Sequence, residues 1–371
     1  MRILLAAGGT AGHVNPALAI AAYIKQQQPQ AEIHFAGRRE GMEYGLVTAA
    51  GYPFYHIEVN GIQRSFTPKN ICRNFKAVWH LAFAGFTANK ILRTVQPDIV
   101  IGAGGYVSGP VVRAAHKKGI KTAIHEQNAF PGVTNKLLAK GADAILAAMP
   151  DAVQRLGYAD KTTVVGNPVR PEVFSQNRAD IRRKLGVRDG QILILSFGGS
   201  LGAQRINEVV AELAAWHIAK RDFRHIHATG SIEKEDFAVL AKAKGIQNSP
   251  HFTIREFITD MPQMLAAADL VISRAGALTL AEIAAAGKAS VLIPSPNVAE
   301  NHQYYNALQL QKLGAAEVIE EKNLTAEKLI AVVDNLTKKP AQLMEMSTKA
   351  KGLAQPDSLA RIYAELQKLV Q

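Results

Sequence analysis

A chain of 371 residues is longer than one hydrophobic core usually holds, and 48% hydrophobic residues with mean hydropathy of −0.01 describe a globular chain of two domains. Forty-three Lys plus Arg against 31 Asp plus Glu leave a formal charge of +12, which favours phosphorylated ligands, nucleic acid or an acidic membrane surface as partners. The single cysteine, Cys72, excludes an internal disulfide and any thiolate metal cluster, and no run of about 18 apolar residues suggests an export signal or a membrane span.

The predicted elements alternate. Apolar runs at Arg2 to Ala7, Glu32 to Ala36, Asp98 to Ile101, Lys121 to His125 and Ala144 to Ala147 are separated by helix-length segments, the order of parallel strands joined by crossover helices. Between the second and third runs, Ile71, Phe75, Val78, Trp79, Ala82, Phe83 and Phe86 recur at helical spacing, with Arg64, Lys69, Arg73, Lys76, Lys90 and Arg93 around them. Val164-Val165-Gly166-Asn167-Pro168-Val169-Arg170-Pro171 leaves little room for regular helix and is read as a hinge. The pattern then restarts at Ile192 to Phe197, His225 to Thr229, His251 to Ile254, Leu270 to Ser273 and Ala289 to Ile293. A helical tail from about Ala341 breaks near Gln355-Pro356-Asp357, which would turn it back toward the first domain. The reading is α/β: two doubly wound Rossmann-like domains facing a cleft, spanning 1–163 and 164–340, with a tail over 341–371.

Four of the runs end in glycine loops: Gly8-Gly9-Thr10-Ala11-Gly12, Gly102 to Pro110, Gly198-Gly199-Ser200-Leu201-Gly202, and Arg274-Ala275-Gly276-Ala277. Such a bend lets backbone approach a ligand and turns the unpaired N–H groups of a helix start toward it, which suits phosphate or pyrophosphate. Neither Gly8–Gly12 nor Gly198–Gly202 carries the Lys-Ser or Lys-Thr of a phosphate-loop NTPase or the three-glycine dinucleotide fingerprint, so kinase and dehydrogenase readings lose ground.

In order along the chain stand Gly8-Gly9-Thr10-Ala11-Gly12-His13 with Asn15-Pro16, Gly104-Gly105-Tyr106-Val107-Ser108-Gly109-Pro110, His125-Glu126-Gln127-Asn128, Gly166-Asn167-Pro168-Val169-Arg170, Gly198 to Ala203, and Gly276-Ala277-Leu278-Thr279 through Glu282. The set resembles the MurG family, N-acetylglucosaminyltransferases that make lipid II, from Met1 to about Gly314. Ala11 departs from the glycine common in that family.

The resemblance implies a GT-B fold, with an acceptor-binding, membrane-associating first domain and a second domain that binds UDP-N-acetylglucosamine. It implies an inverting transfer of N-acetylglucosamine to the muramyl 4-hydroxyl of undecaprenyl-pyrophosphoryl-MurNAc-pentapeptide, in peptidoglycan synthesis. For the donor it implies Thr10, Ala11 and Gly12, with Ser200 and Arg170 on the diphosphate. Backbone of Ala277, Leu278 and Thr279 would assist, Glu282 would hold the ribose, backbone of Ile258 the uracil, and Asn128 and Gln303 the sugar hydroxyls. Gly104, Gly105, Tyr106 and Ser108 would hold the acceptor diphosphate. No cofactor is implied, and the sequence is silent on a divalent cation beside the pyrophosphate.

His13 is the candidate general base, because a neutral imidazole takes a proton near neutral pH; a His after a glycine bend also serves as a helix cap or a phosphate ligand. Glu282 taken alone reads as an exposed helix carboxylate, and Asn128 and Gln303 as loop-capping amides. His225 and His227 share one face of a strand without a nearby carboxylate, a weak basis for a metal site.

The stripe containing Ile71, Phe75, Trp79 and Phe83 reads either as a helix buried against its own sheet or, with Lys69, Arg73 and Lys76, as a patch for anionic lipid, which would put the chain at the cytoplasmic face of the inner membrane. Other wall-synthesis proteins are conceivable partners. A UDP-N-acetylglucosamine 2-epimerase or another sugar transferase on the same fold is the competing enzyme reading, and a basic nucleic-acid-binding protein the non-enzymatic one.

Overall fold

The computed structural model describes residues 1–59 and 83–371, which divide into two compact units, Met1–Pro168 with Asp357–Gln371, and Val169–Pro356. In the first, β1 (Arg2–Ala6), β2 (Glu32–Gly37), β3 (Phe54–His56), β4 (Ile99–Gly102), β5 (Lys121–Glu126), β6 (Ala144–Ala147) and β7 (Thr162–Val164) form a parallel sheet in the order β3-β2-β1-β4-β5-β6-β7. Helices α1 (Ala11–Gln27), α2 (Met42–Ala49), α3 (83–95), α4 (Ser108–Lys117), α5 (Val133–Ala139) and α6 (Pro150–Leu156) belong to it.

The strands read as unbroken apolar runs because both faces are covered. Ile3, Leu4 and Leu5 are fully buried, and the two-residue side-chain period sends them to opposite cores. Ile3 and Leu5 join Ile99, Ile101 and Leu146; Leu4 joins Val100, Ile124 and Ile145.

The second unit repeats the plan. Strands β8 (Ile192–Phe197), β9 (Phe223–Ala228), β10 (Phe252–Arg255), β11 (Leu270–Ser273), β12 (Ala289–Leu292) and β13 (Ala316–Val318) run in the order β10-β9-β8-β11-β12-β13. Its helices are α7 (Arg178–Lys184), α8 (Gln204–Lys220), α9 (Lys234–Ala243), α10 (Met261–Ala267), α11 (Ala277–Ala286), α12 (His302–Lys312), α13 (Ala326–Thr337) and α14 (Pro340–Gly352).

In each sheet the winding direction reverses between the first strand and its fourth, at β1/β4 and at β8/β11. Ligands of open α/β sheets bind beyond the carboxyl ends of the strands at such a reversal. The four glycine loops follow β1, β4, β8 and β11, so two of them lie at each reversal.

Three features differ from the sequence reading. The edge strands β3, β7 and β13 are three residues each and partly exposed, so they leave no apolar run to detect. The division falls after Pro168 rather than after 163, because β7 and the Val165–Ala147 backbone bond bind that segment to the first sheet. The tail over 341–371 is not one body: α14 packs on α11 and β12, while α15 (Ser358–Val370) packs on α1 and joins the first core through Leu359, Ile362 and Leu366.

Candidate functional site

In the first unit the two glycine loops are packed face to face. Gly105 lies at φ +78° with its α-carbon hydrogen against the Gly8 carbonyl, and a methyl group there would overlap that oxygen. Gly104, at φ +97°, presents the same bare face to the His13 ring. Helix α1 starts at Ala11 and α4 at Ser108, both without a side-chain cap and without an acidic residue in the first turn, leaving helix-start N–H groups for an anion.

His13 is half-buried, with Nδ1 enclosed and without a hydrogen-bond partner. Burial lowers its pKa from 6.5, against smaller upward pulls from the Gln127 side chain and the Ala103 backbone, so the imidazole is neutral at pH 7 and fit to accept a proton.

Tyr106 stands 52% exposed at the loop tip, whereas Ser108 corrects an expectation. Its side chain is fully buried: the hydroxyl accepts from Gly104 N at 3.1 Å, and its one hydrogen serves Ala6 O at 2.7 Å or Gly104 O at 2.8 Å. Its hydroxyl is committed to the loop from inside, which leaves only the backbone at this helix start for an anion.

Asn128 is 9% exposed, and its backbone and side-chain N–H groups donate to Glu126 Oε1 at 2.9 and 3.0 Å. Glu126 Oε2 accepts from Gly132 N and Asn135 Nδ2. This buried carboxylate organises the turn after β5, a role sequence reasoning missed because its donors are spread over ten residues.

Glu43 was missed as well. It is 1% exposed on α2, fills the space left by the absent side chains of Gly8, Gly37 and Gly41, and accepts from Arg38 N at 3.0 Å and Gly9 N at 3.4 Å. The signal was three glycines over 33 positions facing one residue, which no local pattern reports.

In the second unit, Gly202 at φ +95° and Gly230 at φ +84° meet backbone to backbone, so the bend Gly198–Gly202 rests on the end of β9. Ser231 N and Ile232 N donate to the carbonyls of Ser200 and Leu201, at 3.2 Å each. Helix α11 starts at Ala277 behind Gly276, with no side-chain cap and no acidic first turn.

One turn along α11, Glu282 lies 3.4 Å from Arg170, so the structure brings together the two residues expected at the ribose and the diphosphate. Burial pushes the Glu282 carboxyl above its usual range, and Arg170 pulls it partly back. Gln303 Oε1 accepts from Ser295 N at 2.9 Å, and Ile258 is 3% exposed.

Ile71, Phe75, Trp79, Lys69, Arg73 and Lys76 lie outside the described residues. Phe83 and Phe86, on α3, are 50% and 76% exposed with ring centroids 6.4 Å apart. Leu137 on α5 is 77% exposed and Val133 is 50% exposed, neither singled out by the sequence. His225 and His227 are buried and bound through Ser196 Oγ at 2.7 and 2.8 Å, a hydrogen-bonded core cluster in which burial holds His227 down at about 3.

The descriptions of the glycosyltransferase family 28 N-terminal and C-terminal domains match residues 3–147 and 193–362. A Desulfitobacterium hafniense protein named UDP-N-acetylglucosamine–N-acetylmuramyl-(pentapeptide) pyrophosphoryl-undecaprenol N-acetylglucosamine transferase is 42% identical over 366 residues, covering 98% of this chain and 97% of its own. The crystal structure of Acinetobacter baumannii MurG superposes with a TM-score of 0.75 at 31% identity, covering 99% of each chain. The Neisseria meningitidis UDP-GlcNAc 2-epimerase structure, at 14% identity and a TM-score of 0.65 over 99% of this chain and 100% of its own, shares the fold alone. The chain is a glycosyltransferase that belongs to family 28, and within it to the MurG N-acetylglucosamine transferases.

Proposed function

We propose that this enzyme transfers N-acetylglucosamine from UDP-N-acetylglucosamine to the 4-hydroxyl of the muramyl sugar on undecaprenyl-pyrophosphoryl-MurNAc-pentapeptide, inverting the anomeric carbon. The observation that carries the reading is the pairing of a neutral, half-buried His13 beside uncapped helix starts in one unit with Arg170, Glu282 and a second uncapped helix start in the other. Inverting transfer needs a base for the incoming hydroxyl and a cradle for the leaving diphosphate, and these residue types supply both.

The first unit is read as the acceptor side. Gly104, Gly105 and Tyr106 bind the lipid diphosphate through backbone and the α4 start, while Thr10, Ala11 and Gly12 meet the donor sugar. In the second unit Ser200, Arg170 and the α11 start through Ala277, Leu278 and Thr279 hold the donor diphosphate, Glu282 the ribose hydroxyls, and Ile258 backbone the uracil. Asn128 and Gln303 bind hydroxyls of the transferred sugar, each already oriented by Glu126 or by Ser295.

A polyprenyl-linked acceptor stays in the bilayer, so the protein works peripherally at the cytoplasmic face of the inner membrane. Exposed Phe83 and Phe86, with Lys90 and Arg93 on the same helix, support a lipid contact around α3, and no helix among the described residues is long and apolar enough to cross a membrane.

Radiolabelled UDP-N-acetylglucosamine incubated with a short-chain lipid I analogue tests the activity directly. Labelled disaccharide lipid is the expected product. Release of an epimer without acceptor, or no transfer, overturns the reading.

A further inference from the structure

Gln127 follows β5 directly and is 2% exposed, yet the proposed chemistry leaves it without a task. Its Nε2 donates to Ala103 O at 2.8 Å and faces His125 Nδ1 at 3.0 Å. His125 Nε2 lies 3.2 Å from Gly166 O, an acceptor that only an N–H satisfies, so the hydrogen of this fully buried, neutral ring sits on Nε2 and Nδ1 accepts from Gln127. Both amide hydrogens of Gln127 are thereby committed, and Asn167 Nδ2 donates to its backbone carbonyl at 3.1 Å. The amide cannot flip without losing two bonds, so an oxygen is the group left over.

That oxygen, Oε1, is buried with no donor, and His13 Nδ1 is buried with no partner. The two are chemically complementary and are brought to one short stretch of backbone: His13 Nδ1 lies against Gly104, and Gln127 bonds the carbonyl of Ala103 next to it. Consistent with this, the Gln127 side chain favours the charged form of His13. The other groups facing the ring are the Ala103 backbone and the bare face of Gly104; beyond them stand the neutral His125 and, on α2, the Glu43 carboxylate against Gly8 and Gly9.

We infer that Gln127 is a positioning residue for His13: its Oε1 takes the Nδ1 hydrogen, which leaves Nε2 as the nitrogen that receives the acceptor's proton. The inference rests on the reading of His13 as general base. In the step, the hydroxyl O–H breaks as its oxygen bonds to the anomeric carbon, the proton passes to Nε2, and the electron pair of the donor C–O bond leaves with UDP. The imidazolium so formed keeps its Nδ1–H on Gln127. His125 acts one bond further back, holding the amide in the required orientation.

The test uses the full-length enzyme with UDP-N-acetylglucosamine and the short-chain acceptor, recording kcat against pH for the natural protein, Gln127→Met, Gln127→Glu and His13→Ala. Gln127→Met is expected to lower kcat about tenfold or more with the donor KM within about twofold, since base catalysis is impaired and binding is not. Gln127→Glu places a carboxylate beside the imidazolium, and the acid limb is expected to move to higher pH by about one unit or more.

If His13→Ala is inactive while both Gln127 variants keep kcat within about twofold and the acid limb unmoved, this inference falls and the base assignment stands. If His13→Ala turns over normally, both fall. Should the methionine variant not fold, ¹⁵N-imidazole shifts of the natural protein decide: the His13 resonances, assigned by their loss in His13→Ala, are expected to show hydrogen on Nδ1, and hydrogen on Nε2 overturns the proposal.

Discussion

The bends Gly8–Gly12 and Gly198–Gly202 look alike in sequence and occupy equivalent places, each after the central strand at a winding reversal. Their surroundings differ. The first is clamped between a buried carboxylate, Glu43, and a second glycine bend at Gly104–Gly105, and its helix carries His13 two residues in. The second rests on the end of β9 through Gly230 and Ser231, and its hydroxyl residue, Ser200, stands where the first bend has Thr10. One local pattern thus carries an imidazole against a second glycine bend in one unit and rests on a strand end in the other, and the residues packed behind each bend make the difference.

The largest effect expected from breaking this contrast is catalytic. His13→Ala is expected to lower kcat about 10²- to 10⁴-fold, whereas Ser200→Ala, which removes one hydrogen bond, acts on the donor KM by about tenfold; steady-state kinetics separate the two, and equal losses of kcat in both variants contradict the division of labour.

Next comes packing. Gly105→Ala drives a methyl group into the Gly8 carbonyl and is expected to destabilise the first unit by about 3 kcal/mol or more, while Gly9→Ala, with open space around it, meets only its φ of +87° and costs about 1–2 kcal/mol. Thermal or urea unfolding reads the ranking, and a reversal shows the bends are not packed as described.

Removing Glu282 probes the second unit's half of the contrast. Glu282→Ala is expected to raise the donor KM about tenfold and to leave Arg170 without its carboxylate partner. An unchanged KM removes Glu282 from the ribose.

The most graded effect is acid sensitivity. His217 and His227 of the second unit are held down at about 4 and about 3, and His225 well below 6.5, all first by burial; the first unit has His125 at about 4, with His13 and His34 lowered. Because these folded pKa values lie below the unfolded one, the unfolded chain takes up the protons first. Their contribution to stability is complete above about pH 6.5 and is lost as pH falls toward 4, by up to about 1.4 kcal/mol per pH unit for each ring. Hydrogen exchange between pH 6.5 and 4.5 should show the second unit loosening more steeply, and a first unit that opens earlier would count against this ordering.

Much of the fold was legible because buried parallel strands are continuous apolar runs and glycine loops punctuate them. Leu270 to Ser273 and Ile192 to Phe197 needed no tertiary knowledge. The edge strand Thr162–Val164 did, since half-exposed residues carry no burial pattern; the break between α14 and α15 was readable at Gln355-Pro356-Asp357, but that α14 packs on α11 and β12 was not. At the site, the motif residues Glu282 and Arg170 were readable, but Ser108 looked like a ligand and is an internal strut, because a serine's neighbours and not its position in a glycine loop decide where its hydroxyl points.

The sequence by itself determined the two-fold repeat of strand, bend and helix, since hydrophobic period and glycine conformational freedom are local properties of the chain. Only the tertiary structure decided which bends face each other and which carboxylate lies under Gly9, because those contacts join residues 34 and 97 positions apart and depend on sheet order.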